Sequence, residues 1–181
     1  MKNALIIIDY IYDFVADDGK LTCGKPAQEI DGFIAAQIEK TVKAGDFIVI
    51  ASDSHEKNDV FSPEHKLFPP HCIAHTPGRE LFGATGESIR NAPGDLLLHI
   101  DKTRYSAFAG TPLDLKLRER GTTNLYLAGV CSDICVLHTA VDAYNLGYKI
   151  HVYEKGVASF NAEGHKFALS HFKNTLGAEI V

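Results

Sequence analysis

Short runs of consecutive apolar residues, rich in isoleucine, valine and leucine, recur along the chain. Runs of this length and composition are typical of strands that are buried on both faces, as in a parallel sheet. The pattern therefore predicts six strands, the last of them short, at residues 4–8, 46–51, 96–100, 125–130, 149–153 and 178–181.

Apolar residues with helical spacing lie between most of these runs. Two sets follow the 3.6-residue repeat: Ile30, Phe33, Ile34, Ile38 and Val42, and then Ile134, Leu137, Val141 and Tyr144. Because strands and helices alternate, the chain is predicted to be a three-layer α/β protein, with a parallel sheet covered by helices on both faces. The segment 53–92 shows little periodicity, and such long irregular stretches in a compact domain are usually functional.

Length, composition and charge narrow the class of protein. The chain has 181 residues, 45% hydrophobic and 23% charged, which fits one globular domain over residues 1–181. Its net charge is -5, with acidic and basic residues intermixed. Because nucleic-acid binding uses a concentrated basic surface, we expect no nucleic-acid partner.

The apolar run near the start is too short for a signal peptide or a membrane span, so no membrane association and a cytoplasmic location are expected. The chain has four cysteines, Cys23, Cys72, Cys131 and Cys135. Four cysteines in a chain of this size do not form a disulfide framework, and an intracellular setting would keep them as thiols.

Reactive side chains follow the predicted strands. Asp9 comes after the first, residues 53–55 (Asp-Ser-His) after the second, residues 101–102 (Asp-Lys) after the third and residues 131–135 (CSDIC) after the fourth. Because open α/β sheets bind ligands outside the carboxyl ends of their strands, these groups are expected to converge on one rim.

Of the two cysteines in the last motif, Cys135 is the better candidate for a nucleophile. It lies about one turn into a predicted helix, where free N–H groups and the helix dipole favour a thiolate. Cys131 lies at the bend between strand and helix. With Lys102 to stabilise the neighbouring anions and Asp9 to carry a proton, Cys135 is predicted to react.

A metal site is also predicted. Asp53 and His55 point to one side of an extended segment, and His71 could supply a third ligand after a turn of prolines. One Asp and two His around an open position suit zinc or a similar divalent ion that acts on a substrate. Competing ligands are Glu64, His65, Cys72 and His75, and the sequence HCIAH could alternatively form a closed structural site.

Aromatic residues near the same rim could bind a flat aromatic substrate. The candidates are Phe14, Phe61, Phe68 and Tyr105, and such a substrate would be held between two ring faces.

Five motifs in order resemble those of a known family: IIIDYIYDFV, ASDSHE, FPPHC with TPGRELFG, DKTRYSAFAGT and GVCSDICVLHTAVDA. They are similar to the isochorismatase-like cysteine hydrolases, and most closely to the nicotinamidase (pyrazinamidase) branch. The resemblance extends from Ala4 to about Phe160. It implies a Rossmann-like fold with a six-stranded parallel sheet.

The resemblance also implies how the catalytic residues act. Asp9, Lys102 and Cys135 would form the catalytic triad. A cis peptide between Val130 and Cys131 would turn the Cys131 N–H toward the oxyanion, which the N–H of Cys135 would also bind. Cys131 would then contribute its backbone rather than its sulfur.

The implied reaction is hydrolysis of nicotinamide to nicotinate and ammonia, with a divalent ion held by Asp53, His55 and His71. Glu64 would reach the ion directly or through water. Zinc is the first choice of metal, with manganese or iron as alternatives. The ion would bind the pyridine nitrogen, and Phe14, Phe68 and Tyr105 would contact the ring. A small amide substrate and a homo-oligomer are the expected partners.

Three residues depart from the pattern of this branch. Ile11 and Tyr12 stand where Thr-Asn or Gln-Asn is common, and His75 stands where glycine is usual. These departures concern the shape of the pocket. The alternatives are another amidase of the family, such as an N-carbamoyl amidase, and a thiol-redox protein that uses Cys131 and Cys135, although C-x-x-x-C lacks redox C-x-x-C spacing.

Overall fold

A computed structural model describes residues 2–181. Its strands are β1 (Lys2–Ile8), β2 (Phe47–Asp53), β3 (Leu97–Lys102), β4 (Thr122–Val130), β5 (Lys149–Ala158) and β6 (Glu179–Ile180). Its α-helices are α1 (Tyr12–Val15), α2 (Lys25–Glu29), α3 (Asp31–Ala44), α4 (Gly83–Asn91), α5 (Leu113–Glu119), α6 (Leu137–Asn145) and α7 (Ala162–Asn174).

The six strands form one parallel sheet in the order β3-β2-β1-β4-β5-β6. Alternate residues of β1 enter two separate cores: Leu5 and Ile7 pack with residues of α1 to α4, whereas Ile6 and Ile8 pack with residues of α5 to α7. Helices therefore cover both faces, because each strand has two apolar sides to bury. The predicted three-layer α/β fold is confirmed.

The strand order places the site. The chain runs outward from β1 through β2 to β3, then crosses back so that β4 lies on the other side of β1. The crevice at the carboxyl ends of β1 and β4 is thus the point where the strand order reverses, which is where such sheets bind ligands.

Three strands are longer at their carboxyl ends than the apolar runs indicate. Asp53 is the last residue of β2 and Lys102 the last of β3, and the two are paired in the sheet register. β5 continues to Ala158, five residues beyond the predicted end. Strand pairing extends past the apolar runs because backbone hydrogen bonds do not depend on side-chain hydropathy.

The irregular segment 53–92 contains structure that the pattern missed. It holds α4 and two short 3₁₀ helices, Pro63–Lys66 and Pro77–Arg79. Helix α4 is capped by Asp31, whose carboxylate accepts the N–H groups of Ala84 at 2.8 Å and Thr85 at 2.9 Å. This cap comes from a distant residue, so the local sequence gave no start signal. Within residues 2–181, no helix combines the length and apolar character needed to cross a membrane.

Candidate active site

Three predicted residues meet at the crevice. Asp9 follows β1, Lys102 ends β3, and Cys135 lies in a π-helical turn, Ser132–Val136, that connects β4 to α6. The Lys102 Nζ lies 2.8 Å from Asp9 Oδ2 and 3.7 Å from Cys135 Sγ. Asp9 and Lys102 are each 1% exposed. The structure therefore brings these three side chains together in a site almost closed to bulk water.

Backbone and side-chain contacts fix the cluster. Asp9 Oδ1 accepts the backbone N–H of Asp53 at 2.7 Å. Lys102 also donates to the carbonyl of Arg104 at 3.1 Å and lies 3.5 Å from Asp53 Oδ1. Because its ammonium group has only three N–H donors, these contacts leave Lys102 little freedom.

The cluster shifts the acid–base properties of its members. Burial raises the pKa of Asp9 to about 6, although Lys102 opposes the rise. Burial lowers the pKa of Lys102, but Asp9 and Cys135 outweigh it and hold that pKa above its usual value. Burial also raises the pKa of Cys135, with Lys102 lowering it and Asp9 raising it. The pKa of Cys135 is therefore raised overall, whereas the thiolate expected from the sequence requires a lowered pKa. Desolvation of the buried sulfur outweighs the stabilisation of the thiolate by Lys102 and by the start of the helix.

A second group of donors lies beside this cluster. Asp53, His55, Glu64 and His71 each offer one ligand atom, and these four atoms all lie within 4.8 Å of one another. His55 Nε2 is 2.7 Å from Asp53 Oδ2, and His71 Nε2 is 3.6 Å from Glu64 Oε2. The structure thus places Glu64, which the family resemblance assigned to the ion directly or through water, beside the other three predicted ligands. The competing candidates His65, Cys72 and His75 lie outside this group among residues 2–181.

These residues fit a divalent cation. Two imidazoles and two carboxylates form the mixed nitrogen and oxygen set that zinc accepts. The buried His71 Nε2 has no hydrogen-bond partner, while its Nδ1 is within hydrogen-bond distance of the Pro69 carbonyl at 2.8 Å, which orients the ring. Burial lowers the pKa of His71, but the nearby carboxylates of Asp53 and Glu64, 3.4 Å and 3.6 Å from its Nε2, raise it to about 10, so the two carboxylates create a strongly negative site.

Members of both groups, Asp9 and Cys135 from the first and Asp53, Glu64 and His71 from the second, line one cavity of about 370 Å³. Three of the predicted aromatic residues, Phe14, Phe68 and Tyr105, line it. The rings of Phe14 and Phe68 lie 5.8 Å and 5.9 Å from the ring of His71. Phe61 is 92% exposed and is not part of the cavity lining.

Sequence reasoning missed two residues at this site. Phe160 lines the cavity, because β5 extends far enough to deliver the following residues to the same rim. Asp13 is 6% exposed and accepts the backbone N–H of Cys72 at 2.7 Å, which ties helix α1 to the segment that carries His71. A carboxylate inside an otherwise apolar stretch, four residues after Asp9, was the available signal for Asp13.

The backbone at two positions agrees with the family resemblance. The peptide bond between Val130 and Cys131 is cis. His75 has φ of 62°, in the left-handed region that favours glycine, which is the residue usual at this position in the branch.

Comparison with known proteins identifies the family. A family model described as the isochorismatase domain matches residues 3–181. The chain belongs to the isochorismatase family. The resemblance inferred from the five motifs is thereby confirmed, and this isochorismatase-family protein is an enzyme of the hydrolase class.

Solved members of the isochorismatase family have the same fold. The crystal structure of the nicotinamidase/pyrazinamidase of Bacillus subtilis matches with a TM-score of 0.98 at 53% identity, covering 100% of both chains. That of the pyrazinamidase/nicotinamidase of Streptococcus mutans UA159 matches with 0.97 at 54% identity, covering 99% of this chain and 100% of that chain. The pyrazinamidase of Pyrococcus horikoshii, solved in complex with zinc, matches with 0.86 at 30% identity, covering 100% of this chain and 99% of that chain.

Proposed function

We propose that this enzyme is a nicotinamidase, which hydrolyses nicotinamide to nicotinate and ammonia through a thioester on Cys135. The observation that carries the proposal is the shared cavity: the Asp9, Lys102 and Cys135 cluster and the four metal-ligand candidates line or adjoin one apolar space. An amide that carries a ring nitrogen could be attacked at one end of this space and held at the other. The similarity to solved nicotinamidases supports the assignment.

The first step is attack of the Cys135 sulfur on the amide carbon. Because burial keeps Cys135 protonated, its proton must leave as the bond to carbon forms. Asp9, with a pKa of about 6, is ionised at neutral pH and accepts that proton. The amide oxygen becomes an oxyanion, to which the backbone N–H groups of Cys131 and Cys135 donate hydrogen bonds.

The second half of the reaction returns the enzyme to its starting state. Asp9 passes its proton to the departing nitrogen, which leaves as ammonia. It then takes a proton from water as the water oxygen attacks the thioester carbon, and nicotinate leaves when Cys135 recovers the proton. Lys102, 2.8 Å from Asp9 and 3.7 Å from Cys135, balances whichever of the two carries the negative charge.

Asp53, His55, Glu64 and His71 would hold a divalent ion, with zinc as the first choice. A bound ion would supply a Lewis-acid position that accepts the pyridine nitrogen and orients the ring. Phe14, Phe68 and Tyr105 line the cavity, where they would surround the bound ring and exclude water from it. The expectations of a homo-oligomer and of a cytoplasmic location stay predictions.

The direct test is product analysis with the purified enzyme. Nicotinamide should yield nicotinate and ammonia in equal amounts, measured by chromatography and a coupled ammonia assay. An N-carbamoyl amidase would instead release ammonia from N-carbamoyl amino acids and leave nicotinamide intact. That outcome would contradict the assignment, since such an enzyme has no use for the four donors around His71.

Activity should fall in acid with the pKa of Asp9. Because the ionised carboxylate is the reactive form, kcat/KM should decrease as the pH drops below about 6, about tenfold per pH unit, and level off above it. If the pKa of Asp9 were that of an ordinary aspartate, the fall of kcat/KM in acid would begin near pH ~4 instead. A profile of kcat/KM on nicotinamide from about pH 3.5 to 8 measures it. An inflection near pH ~4 would contradict the raised pKa of Asp9, and the absence of any acid limb in protein that remains folded would rule out Asp9 as the base.

Asp9→Asn and Lys102→Ala should each lower turnover by several decades, yet shift the pKa of Cys135 in opposite directions. Asparagine cannot carry the proton, but loss of the neighbouring carboxylate lowers the pKa of the thiol, whereas loss of the ammonium raises it. The rate of iodoacetamide labelling of Cys135 against pH, read by peptide mapping, checks both shifts.

Asp101→Asn is the matched control, because Asp101 neighbours Lys102 on β3 but its side chain is exposed and paired with Arg79. It should leave the labelling profile unchanged. An unchanged profile in Lys102→Ala would remove Lys102 from the catalytic cluster.

A further inference from the structure

Two cysteines outside the nucleophile's role lie in direct contact. Cys23 Sγ and Cys131 Sγ are 3.0 Å apart, although 108 residues separate them in the chain. Both are buried, at 4% and 8% exposure, and both are free thiols. The thiol-redox alternative drawn from the sequence paired Cys131 with Cys135, but the sulfur that contacts Cys131 is that of Cys23.

This pair joins two walls of the active-site cavity. Cys131 lines the cavity at the end of β4, next to the turn that carries Cys135. Cys23 directly follows residues 19–22, a separate segment of the chain that also lines the cavity. Its backbone N–H donates to the carbonyl of Phe14 at 2.8 Å, so it is also coupled to the helix that carries an aromatic wall residue.

We propose that Cys23 and Cys131 are a modification site: hydrogen peroxide converts them to a disulfide that locks the rim of the cavity and reversibly inactivates the enzyme. Peroxide is small enough to enter the cavity and meets Cys131 there. It oxidises the Cys131 thiol to a sulfenic acid and releases one water. The Cys23 thiol then attacks the sulfenic sulfur, and the S–S bond forms with loss of a second water.

The geometry explains why such a bond would affect catalysis. A disulfide has a sulfur separation of about 2.05 Å, so the two sulfurs must approach by about 1 Å from their present contact. We expect part of that movement to be taken up at Cys131, whose backbone N–H serves the oxyanion in the proposed reaction. A misplacement of about 1 Å can reduce a rate by about 10²-fold. Intracellular disulfides of this kind are generally transient and redox-sensing.

The reduced pair should oxidise slowly at neutral pH. The hydrogen bond with Cys23 and burial both raise the pKa of Cys131, so it remains a thiol in the reduced enzyme. Since the thiolate is the species that attacks peroxide, formation of the disulfide should accelerate as the pH rises.

The test treats the reduced full-length enzyme with hydrogen peroxide, quenches with catalase, alkylates the remaining thiols and maps the peptides by mass spectrometry. We expect a Cys23–Cys131 linked peptide and at least a ~10-fold loss of activity that dithiothreitol restores. Cys23→Ala should show the same activity as wild type when reduced, no linked peptide and no loss that dithiothreitol reverses.

Mapping in Cys135→Ala separates the pair from oxidation of the nucleophile itself, since the Cys23–Cys131 link should still form there. Absence of that link, or a Cys131–Cys135 link in its place, overturns the pairing. If the Cys23–Cys131 disulfide forms completely and the enzyme keeps full activity, the claim that this disulfide inactivates the enzyme is wrong. The activity measurement rests on the proposed function, whereas the linked peptide does not, so a failure of one is distinguished from a failure of the other.

Discussion

Cys135→Ala is expected to lower the turnover of nicotinamide by at least ~10³-fold, to the rate in buffer, because the other sulfur that lines the cavity, that of Cys131, contacts Cys23 rather than Lys102. Cys131→Ala should keep at least about a tenth of the wild-type turnover. In the proposed reaction, residue 131 contributes only its backbone N–H, which alanine retains. A tenfold loss of rate corresponds to about 1.4 kcal/mol, which is within the cost of a local packing change. Steady-state kinetics of the two purified variants make the comparison.

Cys23→Ala is the matched control for the loss of a buried sulfur. Cys23 contacts Cys131 but lies outside the catalytic cluster, so its removal reproduces the packing change without the chemistry. Equal inactivation by Cys131→Ala and Cys135→Ala, together with a Cys131–Cys135 disulfide in the wild type, would instead favour the thiol-redox alternative.

Nicotinamide should be hydrolysed with a kcat/KM roughly 10⁴-fold above that of benzamide, which presents the same amide on nearly the same shape but lacks the ring nitrogen. A site built around a polar contact can reject an analogue without it by that factor, whereas an apolar pocket discriminates weakly. Pyrazinamide keeps the nitrogen and should be a substrate. The measurement is kcat/KM for the three amides on metal-loaded enzyme, with metal content determined by elemental analysis.

Removing the metal should abolish this preference. Chelation or His71→Ala should reduce activity on nicotinamide far more than it alters folding, which circular dichroism and thermal unfolding would monitor. His65→Ala is the matched control, because His65 lies nearby on the 3₁₀ helix Pro63–Lys66 but outside the four-donor group. Equal rates of hydrolysis of nicotinamide and benzamide that do not change when the metal is removed would show that the four metal-ligand candidates do not act on the substrate. The nicotinamidase assignment would then be wrong.

Several parts of the site were readable from the sequence because of a regularity of α/β folds. Apolar runs locate the strands, the strands share one direction, and so the polar residues that follow them reach one rim. Asp9, Lys102 and Cys135 were found in this way, and the structure brings them within contact distance. Asp53, His55 and His71 also meet, together with Glu64, which the family resemblance had implied.

What escaped prediction depended on lengths and contacts that have no local signal. Phe160 was missed because β5 is held by pairing beyond its apolar run, and α4 was missed because its cap is the distant Asp31. The pKa shift of Cys135 was expected in the wrong direction, since the helix position is visible in the sequence but the depth of burial is not.

The sequence by itself thus determined the three-layer fold, the rim on which the polar side chains gather and the identity of those side chains, because hydropathy patterns and strand ends are local properties of the chain. Only the tertiary structure decided which sulfur touches Cys131, which residues line the cavity and which acidic and basic groups lie in contact. Those outcomes depend on where separate segments are packed against one another, and desolvation and contact distances exist only once that packing has formed.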